Sequence, residues 1–507
     1  MAHGLNGLIS VVSPRLALKR ELAQAKLDFV QKHRVFAQPK KGASAYAPVG
    51  RGRRAREFHR NGQDAHGAMR GSREPLSFIA RDMLRNNPRV VRANNLFAGY
   101  TVGSGIRPVV EMVDKEDSKT KSVIEGLIED HLLTTAIDAD GNSTLFGIQA
   151  LSMKTIPVSG EILIRRRYRR KSDGFPLPFQ IQCLETDYLA KSRNSGPVNG
   201  GPRVEDGIEY GPAGRAQGFW LHSEHPGSVY GGGTVRRISA EHVAHSFMVD
   251  RPGQRRGVSW YTPVMPELMD IHKFMQGTLK RQEVAAMFAG ILKREGSDDD
   301  PDGEAADFLG ELEAGGILEL DSQDTMDWND PPSAISAEPV VRLIDRVIAS
   351  GLMLTYESFT GDYSNVNYSS GRMGRIDQDP MAHFWQEELV IAKQLSKVSI
   401  WFKEALYFSR FIEPDSYRLR WTAPRRPVVD PTKDYPALIK KIRAGLDSRQ
   451  SVIREAGKDP NRVMREVAED NAQSDADGLV FDTDPRRTTT SGGDKTTNSK
   501  PEEPNDE

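Results

Sequence analysis

Apolar residues recur at helical spacing in the centre of the chain, between Gly257 and Phe411. In the stretch 265–281 they follow one another at intervals of three or four, which places them on one helix face. These residues are Val264, Leu268, Ile271, Met275 and Leu279. Pro266 fits the first turn, where its missing amide hydrogen is not needed. The pattern predicts a helix with one continuous apolar stripe.

A second helix is predicted at 339–354, and it is apolar over most of its circumference. Its apolar residues fall on two adjacent faces: Val340, Ile344 and Val347, then Val341, Ile348 and Leu352. Only Arg342, Asp345 and Arg346 interrupt this surface. Such a helix requires neighbours on several sides. We expect six residues to carry the packing of the two helices: Leu268, Ile271, Met275, Ile344, Val347 and Ile348.

A third helix is predicted to open at Asp379-Pro380, because aspartate is a favoured N-cap and proline fits the first helical position. An apolar stripe continues to Phe411, a length of about 45 Å if the helix is unbroken. Three such helices, two of them separated by a long insertion, need a large partner surface. We expect other copies of the same chain to provide it.

Helical and strand patterns occupy separate parts of the remaining chain. Helices are predicted at 14–32, on both sides of Asn87-Pro88, at 119–136 and from Ser143. Between Val158 and Val249, strands are predicted in the stretches EILIRRRYRR, PFQIQCLET, EYGPAGRAQGFWLH and AHSFMVD, and a further strand is predicted in SYRLRWTAP after Phe411. Two more helices are predicted at 435–447 and 461–472, whereas the tail from Thr483 lacks the apolar residues that folding requires. The whole pattern predicts an α+β protein with several domains.

The composition is that of a globular protein made in a reducing compartment. Hydrophobic residues make up 38% and charged residues 27% of the 507 residues, a length that allows roughly three domains. Cys183 is the only cysteine, so no disulfide framework can form within one chain. No apolar run is long enough to span a membrane, and no signal-peptide pattern opens the sequence. We therefore expect a soluble protein, made in a cytoplasm, with no membrane partner.

The net charge of −1 conceals strongly charged segments. Residues 34–75 form a Gly/Arg/Ala-rich arm, and through Arg60 the chain carries 13 basic and three acidic residues. A second basic segment ends a predicted strand: Arg165, Arg166, Arg167, Arg169, Arg170 and Lys171. Each segment indicates contact with nucleic acid phosphates or with an acidic partner. The alternatives are a solvated arm for the first and a solvated edge strand for the second.

An acidic insertion separates the first two predicted helices. Residues 295–338 contain 15 acidic residues and no lysine or arginine. The apolar pieces MFAGILK and GGILEL flank or interrupt it, so we expect a small α/β module. Its carboxylates lack the full ligand spacing of an EF-hand loop, which favours a repulsive, solvated surface over a cation site.

Catalytic and metal-binding motifs are weak or missing. The sequence has no GxxxxGK[ST] loop, no GxSxG elbow, no HExxH and no CxxC. His242 and His245 have HxxH spacing, and His383 precedes Glu387 and Glu388, but neither group has an identifiable third ligand. We therefore expect no enzyme activity, no cofactor and no metal.

A set of stretches, in a fixed order, carries a resemblance across 75–472. They are ARDMLRNNPRVVRANNLFAGYTVGSGIRP (80–108), DGNSTLFGIQ (140–149), SGEILIRRR followed by FQIQCLETDYL, GIEYGPAGRAQGFWL (207–221), ISAEHVAHSFMVDRPGQRRGVSWYTPV (238–264) and TYESFTGDYSNVNYSSGRMG (355–374). In order and spacing they resemble the lambda-type family of tailed-phage portal proteins. No single motif is chemically diagnostic, and residues 39–66 have no counterpart in the family pattern.

This resemblance implies a homo-oligomeric ring, normally of twelve subunits, at one vertex of a capsid. Double-stranded DNA enters through the ring, driven by the large terminase, and leaves through it at infection. The implied location is the virion, and the implied protein partners are the terminase, a head-completion adaptor, and the major capsid and scaffolding proteins. The implied fold has an α/β wing, a two-helix stem, a small α/β clip, a tunnel loop and a helical crown.

Matched to this chain, the family layout predicts nine segments. They are an N-terminal helix with a basic arm (1–75), the wing (76–258), the first stem helix (259–285), the acidic clip (286–336), the second stem helix (337–356), the tunnel loop (357–376), a long helix with a return strand (377–431), the crown (432–482) and the tail (483–507).

Two groups of candidate site residues follow from this layout. In the tunnel loop, five polar residues are candidates for contact with DNA in the channel: Tyr363, Asn365, Asn367, Tyr368 and Arg372. In the clip, four carboxylates are candidates for docking of a partner: Asp321, Asp324, Asp327 and Asp330. A carboxylate-rich wall would also keep DNA phosphates from adhering to the channel.

Two other classes of function stay open on the residues alone. One is a nucleic-acid-binding protein that forms no ring and acts through the basic arm, with a DNA affinity that falls with salt. The other is a hydrolase with an unrecognised site, for which no residue is a candidate catalytic group. Rings with a central hole, formed by the purified chain, would distinguish a portal from both.

Overall fold

The computed structural model describes residues 62–114, 116–197, 201–229, 231, 233–287, 291–294, 324–327, 337–426, 430–458 and 460–479, with the single positions 23, 481 and 486. The chain divides into two units, Met1–Asp64 and Ala65–Glu507. The predicted N-terminal helix, most of the basic arm and nearly all of the tail lie outside the described residues. At the end of the arm, the prediction of irregular chain to residue 75 is wrong, because α1 (Ala65–Met69) is helical and Ala65 is buried.

The predicted helix break at Asn87-Pro88 is confirmed by α2 (Arg73–Asn86) and α3 (Pro88–Thr101). The Asn87 side chain accepts a hydrogen bond from the Arg89 amide at 3.0 Å, which makes it an N-cap, and Pro88 takes the first helical position.

The chain between α3 and the first large sheet follows the predicted order of a strand and two helices. The elements are β1 (Arg107–Met112), α4 (Ser118–Leu127) and α5 (Leu145–Ser159). The single helix predicted at 119–136 is broken, because α4 passes into a π-helical turn, Ile128–Leu132, and a 3-10 turn, Thr135–Ile137.

The strand with the basic end, β2 (Glu161–Tyr168), lies in the centre of a sheet. Its antiparallel neighbours are β3 (Phe179–Leu184) and β8 (Val243–Phe247). The alternative of a solvated edge strand is therefore wrong for β2 up to Arg165, which has a neighbour on each side, whereas residues 166–168 pair with β3 alone. Ile162 and Ile164 on one face of β2 join the main core, whereas Leu163 on the other face joins a second core.

A four-stranded antiparallel sheet covers that second core. Its strands, in order, are β4 (Arg203–Glu205), β5 (Ile208–Tyr210), β6 (Ala216–His222) and β7 (Val235–Ser239). The predicted stretch EYGPAGRAQGFWLH covers β6 and most of β5, but β4 and β7 were missed, because both are short and most of their residues are charged or polar.

The return strand β11 (Tyr417–Thr422) pairs antiparallel with β1, with Met112 opposite Tyr417 and Arg107 opposite Thr422. Both strands were predicted, but their pairing was not. Since the two strands come from opposite ends of the second unit, only the folded chain determines which strand each one meets.

Two long helices occupy the positions predicted for the central pair, α6 (Met265–Met287) and α7 (Ala337–Gly351). Two short strands described within the insertion, β9 (Ile291–Arg294) and β10 (Asp324–Asp327), pair antiparallel. The piece MFAGILK overlaps β9, whereas GGILEL lies outside the described residues.

The predicted start of the third long helix at Asp379-Pro380 is wrong. After the short helix α8 (Tyr356–Thr360), α9 (Tyr368–Phe384) begins eleven residues earlier and runs through Pro380. It continues as a π-helical segment, Trp385–Leu395, and then as α10 (Ser396–Arg410). The Asp379 carboxylate does not cap a helix, because it pairs with Arg426 at 2.7 Å.

Three aromatic rings at the centre of the main core hold the long helices together. Phe97 of α3 meets Trp260, just before α6, and Trp385 of the π-helical segment, with ring centroids 5.1 and 5.4 Å apart. The two tryptophan rings lie 5.2 Å from each other. Because all three side chains are largely or fully buried, this cluster fixes where α6 leaves the body of the protein.

Three further helices follow β11: α11 (Pro431–Arg443), α12 (Arg449–Glu455) and α13 (Pro460–Ala476). The first and the last occupy the predicted regions, with earlier starts, and α12 was not predicted. Among the helices that the structure describes, none combines the length and the apolar content that a bilayer span requires.

One buried histidine makes the stability of this fold depend on pH. His131 lies in the π-helical turn after α4, against the ring of Phe179 at 5.1 Å, and burial lowers its pKa to about 4. Below about pH 6.5 the unfolded chain takes up a proton that the folded chain excludes. We expect this single residue to reduce the free energy of unfolding by roughly 3 kcal/mol between pH 6.5 and pH 4.

Urea unfolding of the wild type and of His131→Phe across this pH range measures the effect. At pH 8 both side chains are neutral, so any difference there reports packing alone. The wild type should then lose stability faster than the variant as the pH falls. Parallel pH profiles would show that His131 does not titrate as stated.

Candidate functional site

The helix pair α6 and α7 has one half inside the protein body and one half outside. Near the body, Leu268 and Ile271 of α6 and Ile348 of α7 are fully buried, and the two helices are in contact. The chain runs outward along α6 and returns along α7, so the C-terminal half of α6 and the N-terminal half of α7 lie farthest from the core. Of the six predicted packing residues, these three are buried within a single chain.

Apolar side chains stay exposed along the outer half of α6 and along one face of α7. Met275 and Leu279 extend the buried stripe of α6, and their side chains are 39% and 67% exposed. On α7, Leu343 and Val347 are 63% and 50% exposed and share a face beside the one that buries Ile348. Exposed apolar patches of this kind are typical of a surface that another protein covers.

An ion pair that the sequence did not indicate fastens α7 to the body. The Asp345 carboxylate is buried and accepts hydrogen bonds from Arg89 of α3, from Nε at 2.6 Å and from Nη2 at 3.1 Å. Arg89 also approaches the Met275 sulfur at 3.4 Å. The sequence analysis treated Asp345 as a polar break in an apolar surface, because its partner lies 256 positions away in the chain.

Another arginine on the same face of α3 holds the segment that follows α7. Arg92 donates a hydrogen bond from Nε to the Ser358 carbonyl at 2.8 Å. Its guanidinium lies over Gly361, where a Cβ atom would be 3.0 Å away and where φ is +79°. The left-handed backbone at this turn favours glycine, and a larger residue would also have to displace the end of the Arg92 side chain by a few tenths of an ångström.

The loop after α8 is short and internally bonded. It runs over 361–367, in place of the predicted loop of about twenty residues, because α9 begins at Tyr368. Asn367 caps α9 by accepting from the Ser370 amide at 2.8 Å. The Asp362 carboxylate accepts from the Ser364 hydroxyl and amide and from Tyr356, and these hydrogen bonds lower its pKa.

The structure divides the five predicted loop residues between two environments. Tyr363 and Asn365 lie in the loop with exposed side chains, and Asn367 is occupied as the helix cap. Tyr368 and Arg372 stand on the first turns of α9 and are bonded to each other at 3.2 Å, from Nη1 to the phenol oxygen. The five residues are therefore close in space but do not form one flexible loop.

The four predicted carboxylates of the acidic insertion are only partly described. Asp324 and Asp327 lie at the two ends of β10, opposite Arg294 and Ile291 of β9. Asp321 and Asp330 lie outside the described residues, so the grouping of the four residues stays a prediction.

The histidine pairs singled out in the sequence have protein partners. His245 shares a hydrogen bond of 2.8 Å with Glu161, His242 lies edge-on to Tyr168, and His383 bonds Gln386 at 3.0 Å. Within the described part of the chain, Glu185, Asp187 and His225 are the side chains close enough to share a metal. Arg81 forms ion pairs with both carboxylates, at 3.4 Å to Glu185 and 2.5 Å to Asp187, so the guanidinium already supplies the positive charge that a metal would bring.

Comparisons with known proteins agree on one family. The sequence profile described as phage portal protein, lambda family, matches residues 51–386. The chain is 24% identical to the probable portal protein of Halomonas phage phiHAP-1 over 352 residues, which cover 66% of this chain and 67% of that protein. It is 22% identical to the portal protein of Escherichia phage N15 over 456 residues, 79% of this chain and 84% of the relative.

Solved structures give a more distant similarity. A chain from the neck of an empty GTA particle superposes with a TM-score of 0.45 at 15% identity, covering 77% of this chain and 95% of the other.

Proposed function

Because this chain belongs to the lambda family of phage portal proteins, we propose that twelve copies close into a ring around a DNA channel at one vertex of the capsid. As a phage portal protein, the chain forms the channel through which DNA is packaged. Proteins of this family are structural components of the virion, and the described fold is a mixed α+β fold.

The exposed apolar side chains of α6 and α7 carry the proposal of a ring. In a single chain they face solvent, although Leu268, Ile271 and Ile348 on the same two helices are fully buried. A closed ring supplies a neighbour on each side of every subunit through one repeated interface. Burying these side chains between copies removes apolar surface from water, which stabilises the interface by about 25 cal/mol for each Å² of apolar surface buried.

On this proposal α6 and α7 form the stem, and β9 with β10 belongs to the clip between them. The wing comprises the sheets from β2 to β8 with α2 to α5, and α11 to α13 belong to the crown. The tunnel loop is the segment 361–367, followed by the first turns of α9. Its polar side chains suit weak contact with a DNA backbone that slides past without being read in sequence.

The clip is the proposed docking site for the large terminase and for the head-completion adaptor, through Asp321, Asp324, Asp327 and Asp330. A wall rich in carboxylates also repels phosphates, so that DNA crosses it without forming the many ion pairs that would hold it in place. The wing is the proposed contact for the major capsid and scaffolding proteins.

The mass of the assembly tests the ring. Twelve copies of the 56.4 kDa chain give about 677 kDa (12 × 56.4 kDa), a value that mass photometry measures directly. Leu343→Asp together with Val347→Asp places two charges on the exposed stripe of α7. We expect this variant to keep the circular dichroism of the wild type, since both side chains already contact solvent, and to remain monomeric.

The control is Val229→Asp, which places one such charge at a wing position that is 96% exposed. It should assemble as the wild type does. If the α7 variant forms rings of unchanged mass, these stripes are not the interface between copies. If the wild type stays monomeric at all concentrations and with scaffolding partners present, the ring itself is wrong.

A further inference from the structure

The three-stranded sheet and the four-stranded sheet enclose an apolar core between them. The side chains from the three-stranded sheet are Leu163, Leu184 and Val243, and those from the four-stranded sheet are Ile208, Tyr210, Phe219 and Leu221. Sheets that pack face to face stand about 10 Å apart. Along β2 and β7 this apolar filling gives way to positively charged side chains.

Three arginines lie on the facing sides of the two sheets. Arg165 and Arg167 follow Leu163 at alternate positions on β2, so they share its face toward the second sheet. Arg236 of β7 lies opposite Leu221 in the strand register and shares that residue's inner face. We call Arg165, Arg167 and Arg236 the intersheet arginines.

The intersheet arginines have no partner within the described part of the chain. None of the three makes a side-chain hydrogen bond or an ion pair there, and the Nε atom of Arg165 is buried without an acceptor. Burial, and then the charges of the other two arginines, lower the pKa of Arg165. Arginines nearby are compensated, since Arg166 pairs with Glu404 and Arg237 with Glu209.

Arg165 and Arg167 are half-buried and Arg236 is exposed. A cluster of like charges in this position is unfavourable unless an anion enters it. We propose that the intersheet arginines form a docking site for clustered Asp and Glu side chains on an extended segment of a partner protein. Guanidinium groups bind carboxylates through two parallel hydrogen bonds, and the half-buried position of Arg165 and Arg167 favours such bonds by excluding part of the water. Three guanidiniums suit two or more carboxylates at alternate positions of one extended segment.

The geometry favours an acidic peptide over nucleic acid. The gap between packed sheets is about 10 Å, which is narrower than the major groove alone of a DNA duplex, at about 12 Å. An extended peptide can place a single side chain into such a gap, whereas a duplex can touch only its rim. This site is separate from the proposed ring interface on α6 and α7.

Fluorescence anisotropy of a labelled oligo-glutamate peptide, titrated with the full-length protein in its assembled form, tests the proposal. The variant Arg165→Gln/Arg236→Gln should bind at least about tenfold more weakly than the wild type, since it removes two of the three charged donors that a carboxylate would accept from. The control Arg170→Gln/Lys171→Gln removes the same charge from the neighbouring hairpin and should change the affinity by no more than about twofold.

Thermal unfolding shows whether the variants fold. Arg165→Gln/Arg236→Gln should melt at or above the wild-type temperature, because it removes repulsion and no internal bond. Failure of the wild type to bind the peptide, or an equal loss in both variants, would overturn the proposal. If duplex DNA displaces the peptide, and if its affinity also falls in Arg165→Gln/Arg236→Gln, the site binds phosphates and not an acidic peptide.

Discussion

An aspartate in place of Ile348 is expected to destabilise the folded chain by about 4–5 kcal/mol, enough to prevent assembly. Ile348 is fully buried on the inner half of α7, next to Ala349 and Leu352, and belongs to the main core. A carboxylate at this position would be removed from water without an ion pair to compensate. Arg89, which binds the neighbouring Asp345, is already occupied by that carboxylate.

The measurement is the urea midpoint of the purified variant together with its mass by light scattering. Ile348→Val, which removes one methylene group at the same position, should cost only about 0.5–1.5 kcal/mol and should still form rings. The contrast with Leu343→Asp/Val347→Asp separates the buried face of α7 from its exposed face, because that double change affects assembly and leaves folding intact. A soluble Ile348→Asp ring of normal stability would place this residue outside the core.

Replacing Arg256 by methionine is expected to cost about 3–5 kcal/mol, because it leaves a buried carboxylate without its cation. Arg256 and Glu161 are both almost fully buried, and the guanidinium donates to the carboxylate from Nε at 2.9 Å and from Nη2 at 2.5 Å. The same carboxylate accepts from the Gly257 amide at 3.1 Å. The network therefore ties the first strand of the wing to the segment that leads into α6.

The direction in which the stability deficit of Arg256→Met changes with pH distinguishes an unpaired buried charge from a loss of packing. Burial alone raises the pKa of Glu161, but Arg256 and His245 bring it well below its ordinary value. In the wild type the pair therefore contributes stability above about pH 4.5, which is lost as the pH falls through the folded pKa. Without Arg256 the buried carboxyl favours its protonated form, so we expect the deficit of Arg256→Met to shrink in acid.

The double variant Arg256→Met/Glu161→Gln is the control. It removes both charges at once, so it should recover much of the stability that the single change loses. Urea midpoints at pH 7.5 and pH 5 for the wild type and both variants provide the comparison. A single variant whose deficit is the same at both pH values would show that lost packing, and not the unpaired charge, is the cause.

The helices whose apolar residues recur over many turns were predictable. The pair α6 and α7 lies where the spacing of residues such as Leu268, Ile271 and Ile348 placed it. A continuous stripe leaves few other ways to bury that many side chains, so local periodicity and tertiary packing agree.

The start of α9 shows where local rules were overridden. Aspartate followed by proline is a common helix start, and an internal proline costs about 3 kcal/mol. In the folded chain Asn367 supplies the cap, Asp379 binds Arg426, and Trp385 and Leu389 beyond the proline are buried in the main core. We attribute the tolerance of Pro380 to this packing, which a reading of neighbouring residues does not include.

The intersheet arginines illustrate a different limit. The sequence shows a dense run of arginines at the end of β2, but it does not distinguish Arg165, Arg166 and Arg167 from one another. The structure separates them, because alternate side chains of a central strand point to opposite faces. Arg166 meets Glu404, whereas Arg165 and Arg167 face Arg236 across the sheets.

By itself, the amino-acid sequence determined the α+β class, the long helices, most of the strands and the family, because these depend on periodicity and on the order of motifs along the chain. The tertiary structure decided which strands pair, which half of each stem helix is buried, and which charged residues meet. Contacts such as Arg89 with Asp345, Glu161 with Arg256 and β1 with β11 join residues far apart in the chain. No local pattern encodes such a contact, since its energy exists only once the folded backbone has brought the two groups together.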